Sequence, residues 1–231
     1  GLKPRASPGA SMGVSNLALV GSGWHPPLFR EEARALLGSA EILHPRMVSV
    51  AHSDSVQGMI SGASLVDEVI ESTSRIWIDE GGISVSEIAT HVEEWSQALL
   101  PEGSFAVRAR NLGRGVCDLS RREIESEVGA RISDKGRSVD LEDPDFEIVV
   151  VLAGQDESSG YWDDTQQNNL ILWGLRDMEF TGTYNGTSPT DRPFFKPVTL
   201  DPRLARLMVS LSFSGNLPST IVDPFCGTGG I

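Results

Sequence analysis

The amino-acid sequence predicts an α+β fold that passes into an α/β arrangement at its end, and three features carry that expectation. Residues 14–79 alternate β-type runs and helical spacings in the order βαββαβ. The apolar run IVVVLAG, starting at Ile148, is far too short to span a bilayer and reads as a buried strand. The chain closes on TIVDPFCGTGGI (220–231), where a β-type run ends in an acid and a glycine-rich turn follows. With 231 residues, 39% of them hydrophobic, there is length for one or two domains and a real core.

Residues 1–12 read as a disordered leader, because GLKPRASPGAS carries Lys3 and Arg5 but no hydrophobic region. A first unit spans 13–81. VSNLALVG (14–21) is strand-like, and PLFREEARALLG (27–38) is helical, with Pro27 near its start, Glu31 and Glu32 near the N-terminal turn and Gly38 at its end. EILHPRMVSVAH (41–52) offers two strands broken at Pro45. ASLVDEVIES (63–72) has helical spacing, and RIWID (75–79) is a strand stopped by Gly81 and Gly82. That order is the ferredoxin-like pattern.

A second unit spans 82–180. The helix SVSEIATHVEEWSQALL repeats Ile88, Val92, Trp95 and Leu99 at helical spacing and ends at Pro101. SFAVRAR (104–110) alternates as a strand, with Phe105 and Val107 on one face and Arg108 and Arg110 on the other. SRREIESEVGARI (120–132) is a helix with Ser120 as N-cap and Glu123 placed for a capping box. FEIVVVLAG and NNLILWGL (168–175) are two further strands around a polar loop. Residues 178–197 form a linker by composition, and the third unit, 181–231, contributes the helix DPRLARLMVSLS (201–212) before the closing strand.

A net charge of −13 argues superficially against a nucleic-acid partner, but its distribution is uneven. Segment 105–122 holds Arg108, Arg110, Arg114, Arg121 and Arg122 against Asp118 alone, five minus one giving +4. Segment 140–164 holds nine carboxylates and no Lys or Arg. The two cysteines, Cys117 and Cys226, form neither a disulfide framework nor a metal cluster, which favours a reducing cytoplasmic setting. The four histidines are scattered without ligand spacing, so no metal is expected.

The terminal glycines let the backbone turn sharply and approach a ligand, and a following helix would aim its N–H groups at it. The absence of Gly-Lys-Ser/Thr there argues against a P-loop. DPFCGTGG resembles motif I of S-adenosylmethionine-dependent methyltransferases with a Rossmann-like sheet, in the wording of the branch that methylates amino groups of nucleic-acid bases. RPFFKPVTLDPRLARLMVSLS resembles the segment those RNA enzymes place before motif I, except that Lys196 stands where histidine is common. The resemblance implies S-adenosyl-L-methionine as cofactor, contacted by Phe195, Lys196, Pro197, Asp223, Pro224, Phe225, Cys226, Gly227, Thr228 and Gly229. It also implies that Leu204, Ala205, Met208 and Val209 pack their helix on the sheet.

FAVRARNLGRGVCDLSRREIESEVG followed by VDLEDPD resembles the THUMP domain of RNA-modifying enzymes. The matching positions include Phe105, Arg108, Arg110, Ser120, Gly129, Asp140 and Asp145. THUMP domains accompany a ferredoxin-like partner and hold the acceptor end of tRNA, which assigns RNA binding to Arg108, Arg110, Arg114, Arg121 and Arg122. The order of units most resembles the archaeal THUMP-domain tRNA (guanine-N2) methyltransferases, which act on the guanosine at position 10.

Those enzymes carry a further Asp-Pro-Pro-Tyr-like motif that this sequence lacks. The expectation is therefore a fragment truncated at motif I, with no catalytic residue before Ile231, weakly tRNA-binding and without turnover alone; the oligomeric state stays open, a monomer being favoured. Two alternatives stand beside it: a THUMP module of another RNA-modifying enzyme, and a DNA amino-methyltransferase.

Overall fold

The computed structural model describes residues 16–21, 23–79, 81–116, 118–156, 169–182, 200–212, 220 and 222. In the first half, β1 (Asn16–Gly21), α1 (Pro26–Leu37), β2 (Glu41–His44), β3 (Met47–Ala51), α2 (Asp54–Ile60) and β4 (Val66–Trp77) follow one another in the expected βαββαβ order. β2, β3, β1 and β4 lie side by side in that order, every pair antiparallel. Each βαβ crossover thus straddles one strand, the ferredoxin-like topology.

One expected element is misplaced. The helix read over 63–72 is strand, and the helix lies earlier, at Asp54–Ile60. Val66, Val69 and Ile70 sit at helical spacing because β4 is buried on both faces. Val66 and Val69 pack under the N-terminal helices, while Ile70 packs on the opposite side of the sheet. The true helix shows little periodicity, since Ile60 is its one buried residue. α1 starts with Pro26 and Pro27 in its first turn, as expected of Pro27, but Glu31 and Glu32 lie beyond that turn; His25 caps it, its Nδ1 accepting the Leu28 N–H at 3.3 Å.

The second half contributes α3 (Val85–Leu99), β5 (Phe105–Leu112), α4 (Arg121–Ser133), β6 (Phe146–Ala153) and β7 (Leu170–Arg176). β5 and β6 are parallel, as a helical crossover through α4 allows, and β7 returns antiparallel to β6. β4 pairs with β7, so one seven-stranded sheet runs β2-β3-β1-β4-β7-β6-β5. The capping box forms at α3, between Ser84 and Glu87. At α4, Ser120 Oγ accepts the Glu123 N–H at 3.4 Å.

Leu17, Leu19, Val48 and Val69 pack against Phe29, Ala33 and Leu36 of α1. Phe105, Val107, Val150 and Trp173 pack against Ile88, Val92, Ile124 and Val128 of α3 and α4. A third cluster joins Leu43 of β2 and Met47 of β3 to Val149, Val151 and Leu112 of the other half. Strands from both edges meet in that cluster, so the twisted sheet curls over and covers part of its second face with itself. Such two-sided burial explains why β6 is buried along its whole length.

α5 (Pro202–Leu211) is capped by Asp201, whose Oδ1 accepts the Arg203 N–H at 2.8 Å. It lies against α1, placing Leu207 in the N-terminal core. Arg206 Nε donates to the Gly62 carbonyl at 2.6 Å. Leu204 and Ala205 turn inward, but toward α1 where packing on a sheet was expected, and Met208 is 50% exposed. Its position on the helix faces away from α1, the neighbour that actually covers α5.

Candidate nucleic-acid interface

Strand alternation sorts β5 as the sequence implies. Phe105, Val107 and Ala109 face the α3–α4 side, which leaves Arg108 and Arg110 on the opposite face. There they meet two carboxylates that sequence reading passed over. Arg108 Nε donates to Glu147 Oε1 of β6 at 2.9 Å, and Arg110 pairs with Glu68 of β4. Arg176 of β7 joins the pairs, reaching Glu68 Oε1 at 2.9 Å and Glu147 Oε2 at 2.6 Å.

The result is a chain, Arg108–Glu147–Arg176–Glu68–Arg110, crossing four strands. The glutamates lie beneath, their side chains 9% and 11% exposed, whereas the side chains of Arg108, Arg176 and Arg110 are 38%, 34% and 32% exposed, with the Nε and Nη2 atoms of Arg110 buried. Three cations against two anions leave the group positive. Burial pushes the Arg110 guanidinium down to about 10, with Arg176 and Arg46 adding to the effect and Asp67 opposing it. It therefore remains charged at neutral pH. Nearby, Arg46 approaches Asp156 at 3.7 Å, and burial raises the Asp67 carboxyl.

The other expected arginines occupy two further places. Arg114 sits past the end of β5, in a turn where Gly113 and Gly115 have φ of +74° and +85°, and its N–H donates to the Gln155 carbonyl at 2.7 Å. Arg121 and Arg122 are exposed in the first turn of α4. Arg108 and Arg122 meet at a groove of about 470 Å³ between β5 and α4, whose apolar lining includes Phe105, Val107, Val139 and Leu141. The structure thus brings Arg108, Arg110 and the unforeseen Arg176 into one row, brings Arg108 and Arg122 to one groove, and leaves Arg114 apart.

The signal for the missed carboxylate was present. Glu147 is the lone charge inside the strand FEIVVVLA, and a charge in an otherwise buried strand needs a partner. Arg176 gave less warning, ending a strand whose other residues are apolar or glycine. Trp173 lies in the core, 3% exposed, with its ring stacked on His91 at 6.2 Å.

The expected cofactor contacts Phe195, Lys196, Pro197, Asp223, Pro224, Phe225, Cys226, Gly227, Thr228 and Gly229 all lie outside the described residues. Among the described residues no group of three or more His, Cys, Asp or Glu is arranged to hold a metal ion, and no helix is long and apolar enough to cross a membrane.

Residues 87–155 match the THUMP domain family, and residues 189–231 match the RMKL-like methyltransferase domain family. The chain is 31% identical over 209 residues to a tRNA (guanine(10)-N2)-dimethyltransferase of Methanothermobacter thermautotrophicus, covering 90% of this chain and 57% of that protein. A protein of the same name from Pyrococcus abyssi is 34% identical over 140 residues, covering 60% of this chain and 36% of the relative. The chain therefore spans little more than half of the first relative and about a third of the second. The crystal structure of TrmN from Thermus thermophilus superposes with a TM-score of 0.55 at 20% identity, over 85% of this chain and 54% of that one, and so shares the fold. In this chain the THUMP match precedes the methyltransferase-domain match.

Proposed function

We propose that the protein is a tRNA methyltransferase acting on the exocyclic N2 amine of a guanosine, at position 10 as the names of its relatives suggest. The observation that supports this most is the co-occurrence, in one chain, of a THUMP match at 87–155 and a methyltransferase match at 189–231. Separately, either match would fit several activities. Together they couple a grip on folded RNA to a methyl-transfer chemistry.

In this reading the arginine row supplies the grip. Guanidinium groups bind phosphates bidentately and stack on splayed bases. Glu68 and Glu147 hold the three side chains from below, so their planes are set before RNA arrives and less side-chain entropy is lost on binding. Arg121 and Arg122 extend the positive surface across the groove.

S-adenosyl-L-methionine, when bound, supplies an electron-poor methyl group on its sulfonium. The motif DPFCGTGG (223–230) would hold it, Gly227 and Gly229 keeping side chains away from the ligand and Asp223 offering a carboxylate after the apolar Ile221-Val222. Phe195, Lys196 and Pro197 would close over its methionine end. Attack by an exocyclic amine needs no enzyme nucleophile, so none is assigned to Cys226. Rate enhancement then rests on positioning the amine.

The test gives the complete gene product tRNA transcript and methyl-labelled S-adenosylmethionine, then maps the label after nuclease digestion. Label on the N2 of the guanosine at position 10 is expected. Label on adenosine or on DNA, or none, overturns the reading.

A further inference from the structure

Resting on the reading that the protein is a tRNA methyltransferase, we propose that α5 is a fixed joint. Docked on α1 and on the loop at Gly62, it holds the methyltransferase segment in register with the arginine row. Arg206 and Leu207 are then positioning residues for methyl transfer, acting by alignment rather than by contact with the reacting groups.

α5 belongs by sequence to one unit and packs on another. Pro202–Leu211 lies inside the methyltransferase-family match at 189–231, yet the helix rests on α1 of the N-terminal half. Leu207 is 3% exposed and shares a cluster with Phe29, Ala33 and Leu65, and Leu204 packs against the same cluster. Ser210 is fully buried. Units joined by chain alone move relative to one another by default, and a buried apolar contact is what arrests them.

The polar side of the contact is fixed from below. Arg206 Nε donates to the Gly62 carbonyl at 2.6 Å. The loop bearing that carbonyl is pinned by Glu32 of α1, which is 1% exposed. Glu32 Oε1 accepts the Ser64 N–H at 2.9 Å and the Ser64 hydroxyl at 2.7 Å, and Oε2 accepts the Leu65 N–H at 2.8 Å. Bonds to one buried carboxylate set the loop, so the Gly62 carbonyl is in place for Arg206.

The same loop runs into β4, where Glu68 holds Arg110 and Arg176. Burial raises the neighbouring Asp67 carboxyl and the Arg203 charge opposes that shift, which sets the first turn of α5 near the start of β4. Dock and arginine row are thus fastened to one strand of a continuous sheet. A displacement of about 1 Å at a reacting centre can slow a reaction about a hundredfold, which gives such a joint its use.

Gly62 offers a substitution on the far side of the joint. A Cβ there would stand 2.7 Å from Arg206 Nη2, the flexible end of a side chain, so Gly62→Ala displaces the arginine and spares the fold. With the complete gene product, single-turnover methyl transfer to tRNA transcript is timed for each variant. Gly62→Ala and Arg206→Ala should each slow the step about threefold, the effect of one hydrogen bond, and combining them should add nothing. Arg206→Lys, which keeps a donor and the charge, should recover most of the rate. Arg206→Ala with Leu207→Ala should slow it about tenfold. Dissociation constants for tRNA and S-adenosylmethionine should stay within about twofold of wild type. Solution X-ray scattering should show a larger radius of gyration for the variant lacking both side chains.

Unchanged rates overturn the inference. So do additive losses from Gly62→Ala and Arg206→Ala, or a loss carried by weaker binding of tRNA or S-adenosylmethionine. Should the variant lacking Leu207 fail to fold, the cycle of Gly62→Ala and Arg206→Ala decides alone. A wild type that methylates no tRNA removes the methyltransferase reading, and the alignment role with it. A scattering profile unchanged by loss of Arg206 and Leu207, in an active enzyme, removes the joint alone.

Discussion

His44, the last residue of β2, reaches across the curled sheet and holds the carbonyl of Gly154 with its Nε2 at 2.7 Å. The ring is fully buried, and its Nδ1 accepts the Arg46 N–H at 3.2 Å. Those two bonds define the neutral tautomer with the proton on Nε2. The contact ties the N-terminal half to the loop that follows β6.

That bond predicts how stability varies with pH. Burial lowers the His44 pKa in the folded protein, outweighing the Gly154 bond and the Asp156 charge, which raise it. With the folded value below the unfolded one, the unfolded chain takes up the proton first as pH falls. The contribution of this site is fully present above the unfolded value and is lost as pH drops through it. Its share of the slope is at most about 1.4 kcal/mol per pH unit. Thermal unfolding between pH 7 and 5 should show a falling Tm, and His44→Gln should flatten the trend. An identical slope in the variant would place the effect elsewhere.

A second expectation concerns Gly154 itself. A side chain there would drive a Cβ into the Gly115 carbonyl oxygen, a backbone atom that cannot swing away. Gly154→Ala should therefore cost about 2–4 kcal/mol in urea unfolding, in the range of overpacked cores plus backbone shift. Gly129→Ala, in the open middle of α4, should instead stabilise by about 0.5–1 kcal/mol. If both substitutions moved stability in the same direction, the packing at the 113–115 turn would have been misread.

Much of this architecture was legible from residue patterns, and the gaps have physical causes. The βαββαβ order survived a misplaced helix, because alternating turn signals count elements even where their type is wrong. The type was wrong at 63–72 because a strand buried on both faces can repeat apolar residues at any spacing. β5 alternates cleanly, and its inward and outward faces were read correctly from Phe105, Val107, Arg108 and Arg110. Their partners were not, since the paired residues among Arg108, Arg110, Glu68, Glu147 and Arg176 lie between 29 and 108 residues apart in the sequence and meet only through sheet pairing. The groove was equally hidden, because Val139 and Leu141 sit in an acidic stretch that reads as solvent-exposed loop.

The shared position of Glu68 predicts an ordering of variants. Removing Glu68 leaves Arg110 and Arg176 each without one carboxylate, whereas removing Arg110 leaves Glu68 still paired with Arg176. Glu68→Ala should thus cost about 2–3 kcal/mol, below the full figure for a buried pair because the arginines are partly exposed. Arg110→Met should cost less, as the methionine fills the space and leaves no charge unpaired. Equal losses would mean that packing of the long side chains, not pairing, sets the energy.

Arg108 and Arg122 face the same groove but should separate stability from binding. Arg122 is exposed on the first turn of α4, so Arg122→Ala should leave thermal unfolding unchanged. Arg108 is held by Glu147 and the Leu141 carbonyl, so Arg108→Ala strips Glu147 of one partner and should lower Tm. On tRNA, each substitution should weaken binding and reduce the slope of log affinity against log salt by about 0.7–0.9, one phosphate contact apiece. Filter binding across a salt series measures this directly. A slope that stays put for Arg122→Ala, in a protein whose fold is intact, would show that the phosphates run elsewhere. A slope change for Arg122 without one for Arg108 would restrict Arg108 to holding Leu141 at the groove.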